Sequence, residues 1–345
     1  MMPTETVTLK NVFLHVTKAC NLRCAYCYFS ASQPLPDEMT TAEFDRLWPE
    51  MVALRPEKVV FTGGEPLLRA DILELLGGLR AADPEHHVLR CLNTNGHLVT
   101  PELARALVGL ADEVRVSVDA LSSRNDTLRG AGNFEQAMRA LECFYAVGFE
   151  PKALVTITAT SLPDLEELLC LLIERKITRI NLNGFRPIGR GAGHWEWRAN
   201  TEDVREAVRR VWERTYGLQN ADCGMRNEES ARDNPQSAIH NPQSNCGVGS
   251  FLNIMPNGDV FPCHVLTERE FRCGNVREQS LVEICRRNGL LGQLRQLDFH
   301  TLAQADERVA GLTRPGTCLG NVYAQTKGAP VWKRALPVMS MSHQK

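Results

Sequence analysis

The sequence predicts an α/β chain: a partial (β/α)6 TIM-like barrel followed by a small C-terminal cysteine-bearing α+β module. Three observations predict it. Six apolar strand-like runs, each followed by an amphipathic helical stretch, succeed one another over residues 1–218. The alternation then breaks in a polar segment rich in Asn, Gln and Ser. Beyond the break, two short strand-like runs meet at an Asn-Gly turn between cysteines. Strand–helix units in succession argue for a parallel sheet covered by helices, with the chemistry at the C-terminal strand ends.

The elements follow in order. "NVFLHVT" is the first strand, and "TTAEFDRLWPEMVAL" its helix, opened by Thr-Thr with Glu43 placed for a capping box. "KVVFTGG" and "RADILELLGGLRAA" form the second unit, "HVLRCLNTNG" and "PELARALVGLA" the third. "EVRVSVDA" with "FEQAMRALECFYAVG" is the fourth, its helix stopped at Gly148. "KALVTITAT" with "LPDLEELLCLLIERK" is the fifth, and "RINLNGF" with "EDVREAVRRVWERTYG" the sixth. Residues 219–345 hold a polar linker, the hairpin "FLNIMPNGDVFPC" and the glycine-interrupted helical stretch "SLVEICRRNGLLGQLRQL".

At 345 residues, 43% hydrophobic and 23% charged, the chain has the composition of an ordinary globular protein. A net charge of -2 gives no electrostatic reason to expect nucleic acid or an acidic membrane as partner. No run approaches about 18 uninterrupted apolar residues, so no transmembrane helix is expected. The start, "MMPTETVTLKN", lacks the apolar run of a signal peptide. Twelve cysteines without a secretion signal imply a reducing, cytoplasmic setting, where thiols act as ligands more often than as disulfides.

The stretch "KACNLRCAYCYFS" puts Cys20, Cys24 and Cys27 into eight positions, after the first strand. A structural zinc site wants four ligands, usually as two separated pairs. A disulfide framework wants an even number. Three thiolates on one loop suit three corners of a four-iron cluster, with the fourth iron left for another ligand. This CxxxCxxC pattern, with Tyr26 before the third cysteine, resembles the radical S-adenosylmethionine enzymes. "FTGGEPLL" looks like that superfamily's GGE motif at Gly63, Gly64 and Glu65, and "LNTNG" and "VSVDA" resemble its cofactor-contacting segments.

The resemblance implies a [4Fe-4S] cluster and S-adenosyl-L-methionine as cofactors. A cubane normally takes four thiolates; with three, the amino and carboxylate groups of S-adenosylmethionine complete the unique iron. Reductive cleavage then yields a 5'-deoxyadenosyl radical that abstracts hydrogen from a substrate. An electron donor such as flavodoxin or ferredoxin is implied with it. By the same resemblance Glu65 accepts a hydrogen bond from the methionine ammonium, the glycines allow close backbone approach, and Tyr26 packs near the adenine. Asn93, Asn95, Ser117 and Asp119 meet ribose or carboxylate, and Arg129 in "TLRGAG" partners the methionine carboxylate. Plainer roles exist for three of these: a turn at Asn95-Gly96, a helix cap at Asp119, a surface ion pair at Arg129. The residue acting on substrate is not legible.

"CGVGSFLNIMPNGDVFPC", from Cys246 to Cys263, looks like the first half of the SPASM motif, the auxiliary-cluster extension of this superfamily. Cys318 in "TRPGTCLGNVYAQTKG" resembles a later position, but Asn321 stands where a full motif has its next cysteine. Two auxiliary clusters are thereby excluded, and the abbreviated twitch form with one remains. Its ligands would be Cys246, Cys263 and Cys318. The fourth position stays open among Cys223, Cys273, Cys285, His240, Asn321 and substrate itself. Cys91, Cys143 and Cys170 read as core thiols. "RPIGRGAGHWEWR", after the sixth strand, reads as either a substrate wall or a surface loop.

Three functions compete: maturation of a ribosomally made peptide, modification of a small molecule such as an aminocyclitol or nucleoside, and a non-catalytic metal-binding module. The first is favoured by analogy with SPASM and twitch relatives. The cysteine loop begins at residue 20, leaving no room before it for a leader-binding domain, which favours the second. The GGEP segment and the ordered units count against the third.

Overall fold

The computed structural model describes residues 9–216 and 248–295, and beyond them 318, 319, 322, 323 and 326. The predicted units are present: β1 (Asn11–Thr17), α1 (Thr41–Ala53), β2 (Lys58–Gly63), α2 (Ile72–Ala82), β3 (Leu89–Thr94), α3 (Pro101–Leu107) and β4 (Glu113–Ser117). They continue through α4 (Ser122–Arg129), α5 (Asn133–Ala146), β5 (Lys152–Ile157), α6 (Leu165–Glu174), β6 (Arg179–Gly184) and α7 (Thr201–Tyr216). Thr40 and Glu43 close the expected capping box on α1, and Gly148 ends α5 at φ +93°. The helix α4 was not expected. Its sequence, SSRNDTLR, carries one large apolar residue, and it is held by buried polar side chains that no hydrophobic period announces.

All six barrel strands pair in parallel, in the order β6-β5-β4-β3-β2-β1. Their register sorts the side chains into two faces. Leu14, Phe61, Leu92 and Val114 share one row, and Val116, Ala153 and Ile180 another. Both rows are buried in the main core with the helices. The opposite, inward face mixes an apolar row, Phe13, Val60 and Cys91, with polar residues: His15 lies beside Thr62, and Asn93, Arg115, Lys152 and Arg179 follow in register. Glu113 gathers Arg115, Lys152 and Arg179 at the N-terminal strand ends. Against its burial, Arg115, Lys152 and Lys58 hold the Glu113 carboxyl at about 2. That leaves the C-terminal ends for chemistry.

Beyond the barrel lie β7 (Phe251–Ile254), β8 (Asp259–Phe261), β9 (Gly274–Asn275), α8 (Leu281–Arg287) and α9 (Gly289–Arg295). The Asn-Gly hairpin forms as expected, with Gly258 at φ +86°. The module does not stand apart from the barrel sheet, however. β7 pairs in parallel with β1, and the sheet grows to nine strands. Glu50 of α1 accepts from the Leu281 N–H at 2.5 Å, at the start of α8, and Arg277 forks onto Glu43 at 2.5 and 3.0 Å. No helix among the described residues is long and apolar enough to cross a membrane.

Candidate functional site

The cysteine loop leaves the C-terminal end of β1 and is tied at its neck. The Cys20 N–H donates to Ser32 O (3.0 Å) and the Ser32 N–H to Lys18 O (2.9 Å). The end of β2 runs alongside: Gly64 N donates to Thr17 O (2.8 Å) and Glu65 N to Ala19 O (2.7 Å). A Cβ on Gly63 or Gly64 would drive into the carbonyls of Thr17 and Ala19. What the two glycines approach here is the β1 backbone. They pin the base of the loop.

Cys20, Cys24 and Cys27 are half-buried and form no disulfide. Burial pushes the Cys20 and Cys24 thiols up, while Arg129 and Arg190 pull Cys24 the other way. Among the described residues no three His, Cys, Asp or Glu side chains converge as one metal ion would need. A cubane asks for less convergence, since each thiolate meets its own iron. The donor set fits that group: three thiols on one short loop, none used in a disulfide.

Glu65 is buried, 1% exposed, and its carboxylate bridges two strand ends. It accepts from Leu67 N–H (3.1 Å), the Thr94 hydroxyl (2.8 Å) and Asn95 N–H (2.7 Å). Burial raises its pKa to about 7, against the pull of those hydrogen bonds. Asn95 does form a turn, its Oδ1 accepting from His97 N–H at 2.9 Å, and its Nδ2 also reaches Asn21 Oδ1 in the cysteine loop at 2.8 Å. Asn93 faces inward and donates to Thr62 Oγ1 at 3.5 Å, but its buried Oδ1 has no partner among the described residues. An unused acceptor beside the loop suits a ligand that donates. Ser117 ends β4 on the same inward face.

Tyr26, Asp119 and Arg129 meet in one buried network. The Tyr26 hydroxyl donates to Asp119, and Arg129 Nη1 donates to both, at 2.7 Å to the tyrosine oxygen and 2.9 Å to the carboxylate. Burial holds the Tyr26 phenol well above its usual range, so it remains a donor. Asp119 also accepts from Thr156 N–H at 2.6 Å; it does not cap α4. Arg129, 8% exposed, is no surface ion pair. Its Nε donates to Asn133 Oδ1 (2.9 Å), and Asn133 returns a bond to Asn95 O (3.1 Å). The loop itself joins this network: Ala25 N donates to Leu128 O (2.9 Å) and Cys24 Sγ to Arg129 O (3.6 Å).

In the second cysteine group, Cys263 and Cys318 are buried together with Phe261, Leu266, Phe271 and Leu319. Cys263 Sγ accepts from the N–H groups of Val265 and Leu266, both at 3.4 Å, but burial, with Cys318 beside it, outweighs those bonds and pushes the thiol up to about 12. Cys273 and Cys285 lie in the main core instead. Cys246, Cys223, His240 and Asn321 fall outside the described residues. Sequence reading gave no role to Asn21, although it stands inside the cysteine motif, and missed Asn125 and Asn133, which act through Asp119, Arg129 and Asn95. Arg190 fell in the segment read as either a substrate wall or a surface loop.

The family profile described as "Radical SAM superfamily" matches residues 14–168, and "SPASM: Iron-sulfur cluster-binding domain" matches 246–307. An AdoMet-dependent heme synthase of Oleidesulfovibrio alaskensis is 30% identical over 301 residues, 81% of this chain and 75% of its own. The mycofactocin maturase MftC of Mycolicibacterium smegmatis is 29% identical over 266 residues, covering 76% of this chain; the match spans 66% of the maturase. Among solved structures, anSMEcpe with bound AdoMet and Cp18Cys peptide superposes with a TM-score of 0.65 at 16% identity, covering 94% of this chain and 96% of its own. That last likeness concerns the fold.

Proposed function

Because the chain belongs to the radical S-adenosylmethionine superfamily, whose cofactors are a [4Fe-4S] cluster and S-adenosylmethionine, we propose that it modifies a peptide, as a maturase of a ribosomal product. In this reading residues 1–218 form the radical barrel and 219–345 the linker and auxiliary-cluster module. Cys20, Cys24 and Cys27 hold the first cluster; Cys246, Cys263 and Cys318 hold a second. When bound, the reduced cluster and S-adenosylmethionine together supply a carbon radical able to take hydrogen from an unactivated carbon. The protein's residues bind and orient. Glu65 offers its buried charge to the methionine ammonium, and Asn93 and Ser117 offer polar tips from the inward face. Arg129 holds Tyr26 and Asp119 beneath the loop, and Gly63 and Gly64 keep the loop base against β2. An intracellular electron donor of flavodoxin or ferredoxin type would reduce the cluster.

The observation that carries the reading is the position of the three-thiol loop, seated at the C-terminal strand ends and pinned by Gly64 and Glu65. Peptide chemistry is favoured by the maturase relative and by the peptide-bound neighbour, each of which speaks for itself alone. The heme synthase relative supports a second reading, a small-molecule substrate. One experiment separates them. Reconstituted, reduced protein is given S-adenosylmethionine with either the peptides encoded beside its gene or an iron porphyrin, each deuterated. Deuterium in 5'-deoxyadenosine from a peptide supports maturation; transfer from the porphyrin alone rejects it.

A further inference from the structure

The segment after β6 contains Gly189-Arg190-Gly191, and it folds over the cysteine loop. Both of its ends are anchored to the end of β5: Phe185 N donates to Ile157 O (2.9 Å) and Ala159 N to Trp197 O (2.8 Å). From that fixed arch Arg190 reaches three carbonyls of the loop. Its backbone N–H donates to Cys27 O (3.0 Å), its Nε to Cys24 O (2.8 Å) and its Nη1 to Ala31 O (2.7 Å). The two glycines make the approach possible. Gly189 sits at φ +59°, and a Cβ there would collide with the carbonyls of Cys27 and Tyr28. A Cβ on Gly191 would lie 2.6 Å from the Phe185 ring.

We propose that Arg190 is a positioning residue for the amino-terminal iron-sulfur cluster, a clamp that fixes Cys24 and Cys27 relative to each other before iron enters. The proposal rests on the radical-enzyme reading above. The side chain is suited to the task by its planar fork. Nε and Nη1 serve two carbonyls seven positions apart in the loop, a geometry that a lysine's single ammonium does not reproduce. Its charge has a second consequence. A fixed cation beside the ligand-bearing backbone favours the more negative, reduced state of a cluster, since net charge and nearby hydrogen bonds set such potentials.

The test uses full-length wild type, Arg190→Met and Arg190→Lys, reconstituted without oxygen. The amino-terminal cluster is identified as the part of the reduced EPR spectrum that S-adenosylmethionine perturbs. Its midpoint potential and its rate of iron loss to bathophenanthroline are measured, with far-UV circular dichroism as a check on folding. Arg190→Met is expected to lose iron about tenfold faster or more, from two missing charge-assisted hydrogen bonds, and to show a lower potential. Arg190→Lys is expected to restore the potential while still losing iron fast. A wild-type rate and potential in Arg190→Met overturns the clamp, and so does full restoration of both by lysine. Should Arg190→Met fail to fold, the lysine variant decides: a wild-type rate overturns the clamp, and fast loss at wild-type potential supports it. Absence of any perturbable cluster in wild type overturns the radical-enzyme reading itself.

Discussion

Replacing Glu65 by Gln tests its charge and its hydrogen bonds separately. The buried carboxyl titrates near 7 in the folded chain, against an ordinary value of 4.5. The folded state therefore binds this proton more tightly than the unfolded state. The group's contribution is complete below 4.5 and is lost as pH rises through 7. Each tenfold in proton affinity is about 1.4 kcal/mol, so wild type gives up about 3 kcal/mol across this range. Glutamine does not titrate and loses none of it. It does place an amide nitrogen against either Asn95 N–H or the Leu67 and Thr94 donors. That costs about 1–3 kcal/mol at every pH. In urea unfolding of the cofactor-free protein, Glu65→Gln should be the less stable form near pH 5. The difference should shrink by about 3 kcal/mol, or reverse, by roughly pH 8. A difference that stays constant with pH refutes the argument that Glu65 carries a displaced proton. The same variant should bind S-adenosylmethionine about tenfold to a hundredfold more weakly, as loss of one charge-assisted hydrogen bond requires.

Replacing Cys20, Cys24 and Cys27 together with alanine should abolish 5'-deoxyadenosine formation and leave the barrel's circular dichroism intact, because the loop supplies ligands rather than core. Iron analysis should fall from about eight to about four per chain if Cys246, Cys263 and Cys318 hold a second cluster; iron near zero rejects that cluster. Arg129→Ala strands Asp119 and Tyr26 without their buried cation and should destabilise the fold by about 3–5 kcal/mol in chemical denaturation. An unchanged midpoint there rejects the network as a structural element.

What the sequence made legible follows the range over which each feature is encoded. The strand–helix alternation is local, and each strand's outward residues, Leu14, Phe61 and Val116 among them, repeat with period two. The capping box at Thr40 and the hairpin at Gly258 are local as well. The helix α4 was missed because Asn125 and Arg129 bury hydrogen-bonding groups where an apolar stripe would normally show. The pairing of β7 with β1 has no local signal, since Phe13 and Asn253 come into register across most of the chain. At the site, the thiol loop and Glu65 stood out as motifs. The reason Glu65 is buried, shared between β2 and β3 through Thr94 and Asn95, did not.

The spacing of the motifs along the chain has a physical cause in the parallel sheet. A parallel strand delivers only its C-terminal end to the top of the barrel, and the chain must then descend through a helix before the next delivery. One loop at that end can therefore be held by many strands only if each contributes one short segment. The cysteine loop is held in this way: by Gly64 and Glu65 after β2, and by Asn95 after β3. Leu128 and Arg129 meet it after β4, and Arg190 after β6. The segments come in strand order, from every later unit but the fifth, because the loop sits over β1 and the sheet proceeds outward from it. No single segment encloses the three thiols. Four separate returns of the chain do, and the tightness of each follows from its residue type: glycine where backbone meets backbone, carboxylate and amide where strand ends must be joined, and arginine where carbonyls far apart in the loop must be gathered by one side chain.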